Sequence, residues 1–321
     1  MERTIVEAIN LALFREMKRD KNVVVLGEDV GRNGGVFRVT DGLQKKFGEN
    51  RVMDTPLSEA GIVAASIGMA VAGLRPVAEI QFSGFLYAGI DHLISHASRI
   101  RHRSRGAFSC PLVIRTPYGG GIRALEHHSE SMEALYCHIP GLKVVVPSTP
   151  YEAKGLLAAA IRDNDPVIFF EPQRLYRQIK EEVPDKEYVI PLGKCKLARE
   201  GKDVTIISWG AMLQVVKDAA SRVDIDCEIV NVMTLKPLDM QTIINSVKKT
   251  GRCIIVHEAP KTSGFGAEII ARLNEEIFGE LKAPVERVAG FDTVFPLYKM
   301  ERLYLPNVVR VVEAMKRVMS Y

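Results

Sequence analysis

The apolar residues of this chain recur in two patterns, one with the spacing of a helix and one typical of a buried strand. Thr4 and Glu7 form a capping box, and apolar side chains then recur every four residues, at Ile5, Ile9, Leu13 and Met17. These features predict a first helix. The run 23–26 is wholly apolar and is followed by Glu28 and Asp29, as in a buried parallel strand with acids at its carboxyl end.

The same alternation continues along the first half of the chain. Further strands are predicted at 77–80, 112–115, 144–146 and 167–170, and further helices at 58–73, 87–103, 132–136 and 149–162. Thr149 and Glu152 repeat the capping-box pattern, with Pro150 at the first helical position, where its missing N–H matters little. Strands that alternate with helices predict a doubly wound, largely parallel α/β sheet.

A polar stretch rich in Gly and Lys divides the chain. We therefore predict a first domain over 1–187, a linker over 188–202 and a second, smaller α/β domain over 203–321. In the second domain, strands are predicted at 204–208, 228–232, 253–256 and 285–288, and helices at 212–221, 240–249 and 265–278.

Composition excludes several classes of protein. The 321 residues are 47% hydrophobic and 26% charged, and the net charge of +4 is too small to predict binding to nucleic acid or to an anionic membrane. Five cysteines without a C-x-x-C pair indicate neither a disulfide framework nor a zinc ribbon. The longest uncharged apolar run, 60–74, is shorter than the roughly 20 residues of a spanning helix. A soluble cytoplasmic protein is expected.

No phosphate-binding motif is visible. The glycines at 119–121 and 264–266 do not continue as a dinucleotide-binding fingerprint, and there is no P-loop. The Gly-Asp-Gly stretch with a downstream Asn, which holds a magnesium diphosphate in thiamine enzymes, is also missing. The chain therefore contains no recognisable cradle for a phosphorylated cofactor.

Glu59 is the first candidate for chemistry. It lies in the first turn of a predicted helix, where an acid can simply complement the helix dipole. The residues that follow are small, at Ala60, Gly61, Ala64, Ala65 and Gly68, so the helix could instead be buried against a neighbour. A buried carboxyl needs a partner, and a ring nitrogen that shares its proton would be one.

A second candidate is the histidine pair His127–His128, which follows the glycine-rich stretch and precedes a predicted helix. A histidine on such a loop can reach a cleft and transfer protons near neutral pH. The alternative is a polar surface cluster that caps the next helix. Metal binding is less favoured, because adjacent histidines seldom converge on one ion.

Together these residues resemble the beta subunits of thiamine-diphosphate-dependent 2-oxoacid dehydrogenases, over essentially the whole chain. The matching stretches are 26–30, 54–61, 73–76, 79–82, 128–130, 140–145, 160–166 and 170–172. Two others, 169–177 and 257–265, are more similar to the branched-chain members. Branched-chain 2-oxoacids are therefore the expected substrates, with a pyruvate-specific enzyme and a non-catalytic assembly subunit as alternatives. Glu59 and His128 argue against a pure scaffold, which has no need for either.

The resemblance also implies a division of labour between two chains. An alpha subunit holds the diphosphate and magnesium, and the beta subunit binds the aminopyrimidine half of thiamine diphosphate. The enzyme is then active only as an assembly of two alpha and two beta chains. It transfers the acyl group to the lipoyl group of an acyltransferase core. The second domain resembles the C-terminal domain of transketolase, which supports assembly and docks that core.

Site residues follow from the same resemblance. Glu59 corresponds to the carboxyl that hydrogen-bonds a pyrimidine ring nitrogen, Phe85 to the aromatic residue that packs on the ring, and Gln81 and Leu57 to residues that line the pocket. His128 corresponds to the histidine that assists acyl transfer, with His127 as the less favoured candidate. A potassium site built largely from main-chain oxygens is implied at Leu112, Ala160, Ile161, Asp163 and Asp165. An ordinary helix end before Pro166 explains the same stretch nearly as well.

Overall fold

The strands of the first half of the chain build most of the larger of two main sheets. The computed structural model describes residues 1–321. The strands are β1 (Glu2–Arg3), β2 (Val23–Gly27), β3 (Val52–Asp54), β4 (Arg75–Glu79), β5 (Val113–Tyr118), β6 (Lys143–Val145), β7 (Val167–Pro172) and β8 (Glu181–Glu182). The helices are α1 (Ile5–Arg19), α2 (Leu43–Phe47), α3 (Glu59–Val71), α4 (Ile90–His92), α5 (Ile100–Arg103), α6 (Glu133–His138) and α7 (Pro150–Arg162).

Six strands of this sheet are parallel and run in the order β6, β7, β5, β4, β2, β3. Every residue of β2 is buried, as expected for a strand covered on both faces. Strand β3, which follows β2 in the chain, lies on one side of β2, and β4 lies on the other side. The chain therefore changes direction between β2 and β4, and such a switch point leaves a crevice at the carboxyl ends of the strands.

The second half of the chain forms a five-stranded sheet. The strands of that sheet are β9 (Cys195–Arg199), β10 (Val204–Ser208), β11 (Cys227–Val232), β13 (Cys253–Pro260) and β14 (Glu286–Gly290), and a further short strand, β12 (Thr234–Lys236), belongs to the first sheet. The helices of this half are α8 (Met212–Ala220), α9 (Met240–Thr250), α10 (Gly266–Ile277), α11 (Glu301–Tyr304) and α12 (Val308–Met319). The order is β14, β13, β10, β11, β9, with only β9 antiparallel. The predicted two-domain, largely parallel α/β architecture is confirmed.

The two domains are joined more closely than the sequence indicated. Strand β12 follows β11 in the chain, but it pairs with β6 at the edge of the first sheet. Strand β9 lies inside the stretch predicted as a linker, 188–202, and pairs with β11. The two large buried apolar clusters each include residues of both halves of the chain, so the domains share a continuous core.

The predicted helix over 87–103 is wrong as a single element. A 3₁₀ segment, Ser83–Gly89, leads into α4, and a π-helical turn, Leu93–Ala97, separates α4 from α5. The Ser98 N–H bonds to the Leu93 carbonyl, five residues earlier, at 3.0 Å. Periodicity misses this break because apolar residues continue across it. None of the helices is long and apolar enough to cross a bilayer.

Candidate active site

The crevice at the switch point gathers three of the stretches singled out in the sequence. Glu28 follows β2, Glu59 follows β3 after a short loop, and Gln81 and Phe85 follow β4. Because these strands are parallel neighbours, with Gly27 paired to both Asp54 and Glu79, the segments after them emerge at the same edge of the sheet. The topology thus brings these polar residues to one edge of the molecule.

Glu59 is the first residue of α3, and the Ser58 hydroxyl caps that helix by accepting a hydrogen bond from the Gly61 N–H at 3.3 Å. Its side chain is half-buried. Its charge acts on Glu28 at the same edge: burial raises the pKa of Glu28, and the nearby charges of Glu59 and then Asp29 raise it further. Sequence analysis assigned no role to Glu28, although an acid at the end of a buried strand was the available signal.

Helix α3 is not buried all round, which corrects the sequence-based expectation. Five of its residues face the core: Ile62, Val63, Ser66, Ile67 and Ala70. The small residues Gly61, Ala65 and Gly68 lie on the opposite, exposed face. A stripe of small residues therefore borders the crevice on the outside of this chain. The predicted close contact of this helix with another chain stays a prediction.

His128 lies against two aromatic rings of the segment that follows β4. The His128 ring lies 4.2 Å from the Phe82 ring and 5.2 Å from the Phe85 ring, measured between centroids. The Nδ1 atom of His128 is buried and has no hydrogen-bond partner within the chain. His127 points elsewhere: its side chain is 53% exposed and lies 3.7 Å from the Glu126 carboxylate. The two adjacent histidines are therefore in different environments.

The 3₁₀ segment Ser83–Gly89 packs against the loop that carries His127 and His128. A Cβ atom at Gly84 would lie 2.5 Å from the His127 carbonyl oxygen, so only glycine permits this approach. The Ser83 hydroxyl donates to the Glu130 carbonyl at 3.1 Å, and the Tyr87 hydroxyl donates to the Glu130 carboxylate at 2.7 Å. The residues after β4 thereby fix the position of His128 relative to Phe85.

Leu57 and Gln81 lie beside this cleft without a partner that explains them. Leu57 is 80% exposed, an unusual state for a large apolar side chain next to a polar crevice. Gln81 is half-buried just beyond the end of β4. Their assignment as pocket-lining residues stays a prediction.

These residues fit one half of thiamine diphosphate better than the other. A carboxyl at Glu59 and an aromatic ring at Phe85 are suited to a flat, basic heterocycle. Glu28, Asp29 and Glu59 would repel a diphosphate. No group of three or more His, Cys, Asp or Glu side chains is placed to hold a metal ion.

Comparison with known proteins identifies the family. Residues 2–178 match the family described as the transketolase pyrimidine binding domain, and residues 193–311 match the transketolase C-terminal domain. The chain is 51% identical over 318 residues to the pyruvate dehydrogenase E1 component subunit beta of Acholeplasma laidlawii, covering 98% of this chain and 97% of the relative. The chain belongs to the beta subunits of 2-oxoacid dehydrogenases.

Other relatives agree with this assignment. The pyruvate dehydrogenase beta subunit of Bacillus subtilis (strain 168) is 50% identical over 321 residues, covering 99% of both chains. Among solved structures, a split gene transketolase, described as an inactive beta4 tetramer, superposes with a TM-score of 0.81 at 21% identity. That alignment covers 99% of this chain and 98% of the other. The structural neighbour confirms the transketolase-like fold, and the family is one that depends on thiamine diphosphate.

The relatives are named for pyruvate, so they support the pyruvate alternative better than the branched-chain expectation. Of the two stretches that suggested it, 169–177 begins in the core, where Phe169 and Phe170 are fully buried in β7. In the other stretch, His257 and Glu258 are buried in β13 of the second domain. Burial in the two sheets is enough to explain these four residues without a substrate.

The stretch predicted to bind potassium is already supplied with positive charge. Arg75 Nη1 donates to the carbonyls of Ile161 and Asp163 at 3.0 and 2.9 Å. Lys143 Nζ lies 2.7 Å from both carboxylate oxygens of Asp163 and 3.5 Å from Asp165. The Leu112 and Ala160 carbonyls accept main-chain N–H groups, at 2.9 and 3.2 Å. These contacts favour the alternative, an ordinary helix end, and the potassium site stays a prediction.

Proposed function

We propose that this chain supplies the pyrimidine-binding half of a thiamine-diphosphate-dependent pyruvate dehydrogenase component, and that an alpha chain supplies the other half. The observation that carries the proposal is the similarity to pyruvate dehydrogenase beta subunits over the whole length of both chains. The Ser83–Gly89 segment, which carries Phe85, contacts both α3, which begins at Glu59, and the 126–128 segment, and this arrangement supports the proposal.

Each residue of the crevice has a part in this proposal. Thiamine diphosphate, when bound, supplies the electron sink for decarboxylation of a 2-oxoacid. Glu59 shares a proton with the pyrimidine ring nitrogen, and Phe85 packs against the ring. Glu28 keeps that proton near the ring, since its pKa is raised and the two acids repel each other when both are ionised. His128 exchanges a proton during transfer of the acyl group to a lipoyl group on the acyltransferase core.

Magnesium and the diphosphate are assigned to the alpha chain. The acids at Glu28, Asp29 and Glu59 leave this crevice unfavourable to a diphosphate unless a partner brings compensating positive charge. The exposed small-residue face of α3 supports a close contact with that partner, in an assembly of two alpha and two beta chains.

The substrate is tested by turnover of the assembled enzyme. The chain is produced together with its alpha partner, and reduction of NAD by the complete complex is compared for pyruvate and 3-methyl-2-oxobutanoate. We expect pyruvate to have the larger kcat/KM. A preference for the branched substrate would reject the pyruvate assignment and restore the alternative.

The division between two chains is tested by calorimetry. Titration of the isolated chain with thiamine diphosphate and magnesium should give weak heat or none, and addition of the alpha chain should create a tight, magnesium-dependent site. Micromolar binding by the isolated chain would contradict the shared site and favour a self-sufficient transketolase-like enzyme.

A further inference from the structure

The glycine triplet Gly119–Gly121 has no role in the proposed chemistry, yet the structure requires all three glycines. Gly119 and Gly121 have φ values of +81° and +96°, which other residues rarely adopt. A Cβ atom at Gly120 would lie 2.5 Å from the ring of Phe295, a residue of the second domain. The triplet is therefore a junction at which the second domain closes onto the first.

This junction begins the loop that carries His128. The loop closes on itself, because the Gly119 N–H donates to the Glu130 carbonyl at 3.1 Å. Gln173, which is buried directly after β7, uses its side-chain Nε2 atom to donate to the carbonyls of Gly119 and His128. The two ends of the loop are thereby held by the first domain.

The middle of the same loop is held by the second domain. Glu301, the first residue of α11, is 4% exposed and accepts hydrogen bonds from the N–H groups of Gly121 and Arg123, the latter at 3.4 Å. Beside it, Phe295, Tyr304 and Leu305 form a small buried cluster against Gly120. An acid with these contacts fixes main-chain groups five to seven residues before His128.

We propose that Glu301 is a positioning residue for His128, through which the second domain sets the conformation of the catalytic loop. The inference rests on the proposed function of His128. Without Glu301, the N–H groups of Gly121 and Arg123 lose their shared acceptor, and this part of the loop is no longer tied to the second domain by hydrogen bonds to Glu301. The His128 ring would then shift relative to Phe82 and Phe85, while the Glu59 edge of the crevice, built on β2 and β3, would stay in place.

The test uses the enzyme assembled with its alpha partner and two assays. Acylation of a lipoyl domain depends on His128, whereas decarboxylation with an artificial electron acceptor does not. Glu301→Ala should lower lipoyl acylation about 10- to 100-fold, the scale expected when a reacting group is misplaced. The artificial-acceptor rate should change far less. Glu301→Gln keeps an acceptor oxygen and should recover most of the lost acylation.

Two controls make the outcome specific. Glu275→Ala removes the same charge from an exposed site on α10 of the same domain and should leave both assays unchanged. If Glu301→Ala does not fold, Glu301→Asp is used in its place. That variant keeps the negative charge, but its side chain is one methylene shorter, so the carboxylate lies farther from the two N–H groups. Equal loss in both assays, or no recovery with Glu301→Gln, would overturn the positioning role.

A third measurement separates this inference from the function of His128. Hydrogen exchange of the isolated chain should become faster in Glu301→Ala over 119–130, with the remaining peptides unchanged. His128→Ala is run in the same two assays. If His128→Ala shows no split between them, the proposed role of His128 fails, and unchanged exchange over 119–130 would reject the Glu301 clamp independently.

Discussion

Two groups of charged residues lie within the first domain, and they are built in opposite ways. One is buried between β4, β5 and β7. There Arg115 donates through Nε and Nη2 to the two carboxylate oxygens of Glu171, at 2.7 and 2.8 Å, and through Nη1 to Glu79. The Tyr176 hydroxyl completes the group by donating to Glu171 at 2.6 Å. Arg115, Glu79 and Glu171 are at most 5% exposed, and the charges of this cluster are paired with one another within the chain.

The other group is the pair Glu28 and Glu59 at the crevice. Both side chains are half-buried, and the charges nearest Glu28 are those of two acids, Glu59 and Asp29. No cation of this chain compensates them. The contrast separates two kinds of charged group: a cluster whose donors and acceptors are satisfied within the chain stabilises the fold, whereas acids left without partners at a switch point are available to a group from outside the chain.

The largest expected effect concerns the closed cluster. Arg115→Ala would leave two carboxylates buried without their cation, and breaking a buried ion pair destabilises by about 3–5 kcal/mol. Urea unfolding should show this loss. Arg101→Ala is the matched control, since Arg101 forms an exposed pair with Asp165 at 2.7 Å, worth less than about 1 kcal/mol. If the two variants unfold alike, the Arg115 cluster does not stabilise the fold and the comparison fails.

The second prediction concerns the open pair. Glu59→Gln should slow proton–deuterium exchange at the thiazolium carbon of bound thiamine diphosphate on the order of 100-fold or more, the scale of a lost acid–base group. Unfolding free energy should change by no more than about 0.5 kcal/mol, because no intrachain contact of the carboxylate is lost. Exchange at the normal rate in the assembled enzyme would reject the role of Glu59. Glu28→Gln, measured alongside, should have the smaller effect on exchange.

The fold could be predicted from the sequence where local patterns decide it. Buried strands such as β2 and capped helices such as α1 have their signals within a few residues, and the Thr4 cap is present as predicted, with Glu7 returning a 2.7 Å hydrogen bond. The helix α12 was missed, although Asn307 caps it and Val311 and Met315 face the core. The break at Ser98 and the crossing of β12 to the first sheet depend on tertiary contacts that no local pattern contains.

The site was predictable to a smaller extent. Glu59 and His128 stood out because of their neighbours along the chain, but the edge of the sheet from which their segments emerge depends on the strand order. Glu28 was missed because its proximity to Glu59 arises only when β2 and β3 pair. Glu301 lies in the second domain, 180 residues after Gly121, so no local sequence pattern connects it with the loop that it contacts.

The third prediction concerns Glu258, a buried acid with one carboxylate oxygen that has no hydrogen-bond partner. Burial raises the pKa of Glu258 from 4.5 to about 8, against the positive charge of Arg174, and its Oε1 atom has no partner. The folded state therefore holds this proton more tightly than the unfolded state. The contribution of Glu258 to the free energy of unfolding has its full value below pH about 4.5. It is lost as the pH rises to about 8, at up to about 1.4 kcal/mol per pH unit.

Glu258→Gln should remove this dependence, since an amide does not ionise. The difference in unfolding free energy between the variant and the natural chain should grow in favour of the variant from pH 5 to about pH 8 and then level off, as measured by urea unfolding at each pH. The negative charges of Glu133 and Glu301 also raise the pKa of Glu258, so they act in the same direction as its burial. Parallel stability curves would show that Glu258 is ionised or solvated at all these pH values.

The smallest expected effect tests whether enclosure, and not adjacency along the chain, decides which histidine acts. His128 lies against Phe82 and Phe85, whereas the His127 side chain is 53% exposed. His127→Ala should therefore change lipoyl acylation by only about twofold, the range of a surface substitution near 0.5 kcal/mol. His128→Ala should lower the same rate on the order of 100-fold. If the order of the two variants were reversed, the proton-transferring group would be the exposed ring, and the aromatic cleft around His128 would serve packing alone.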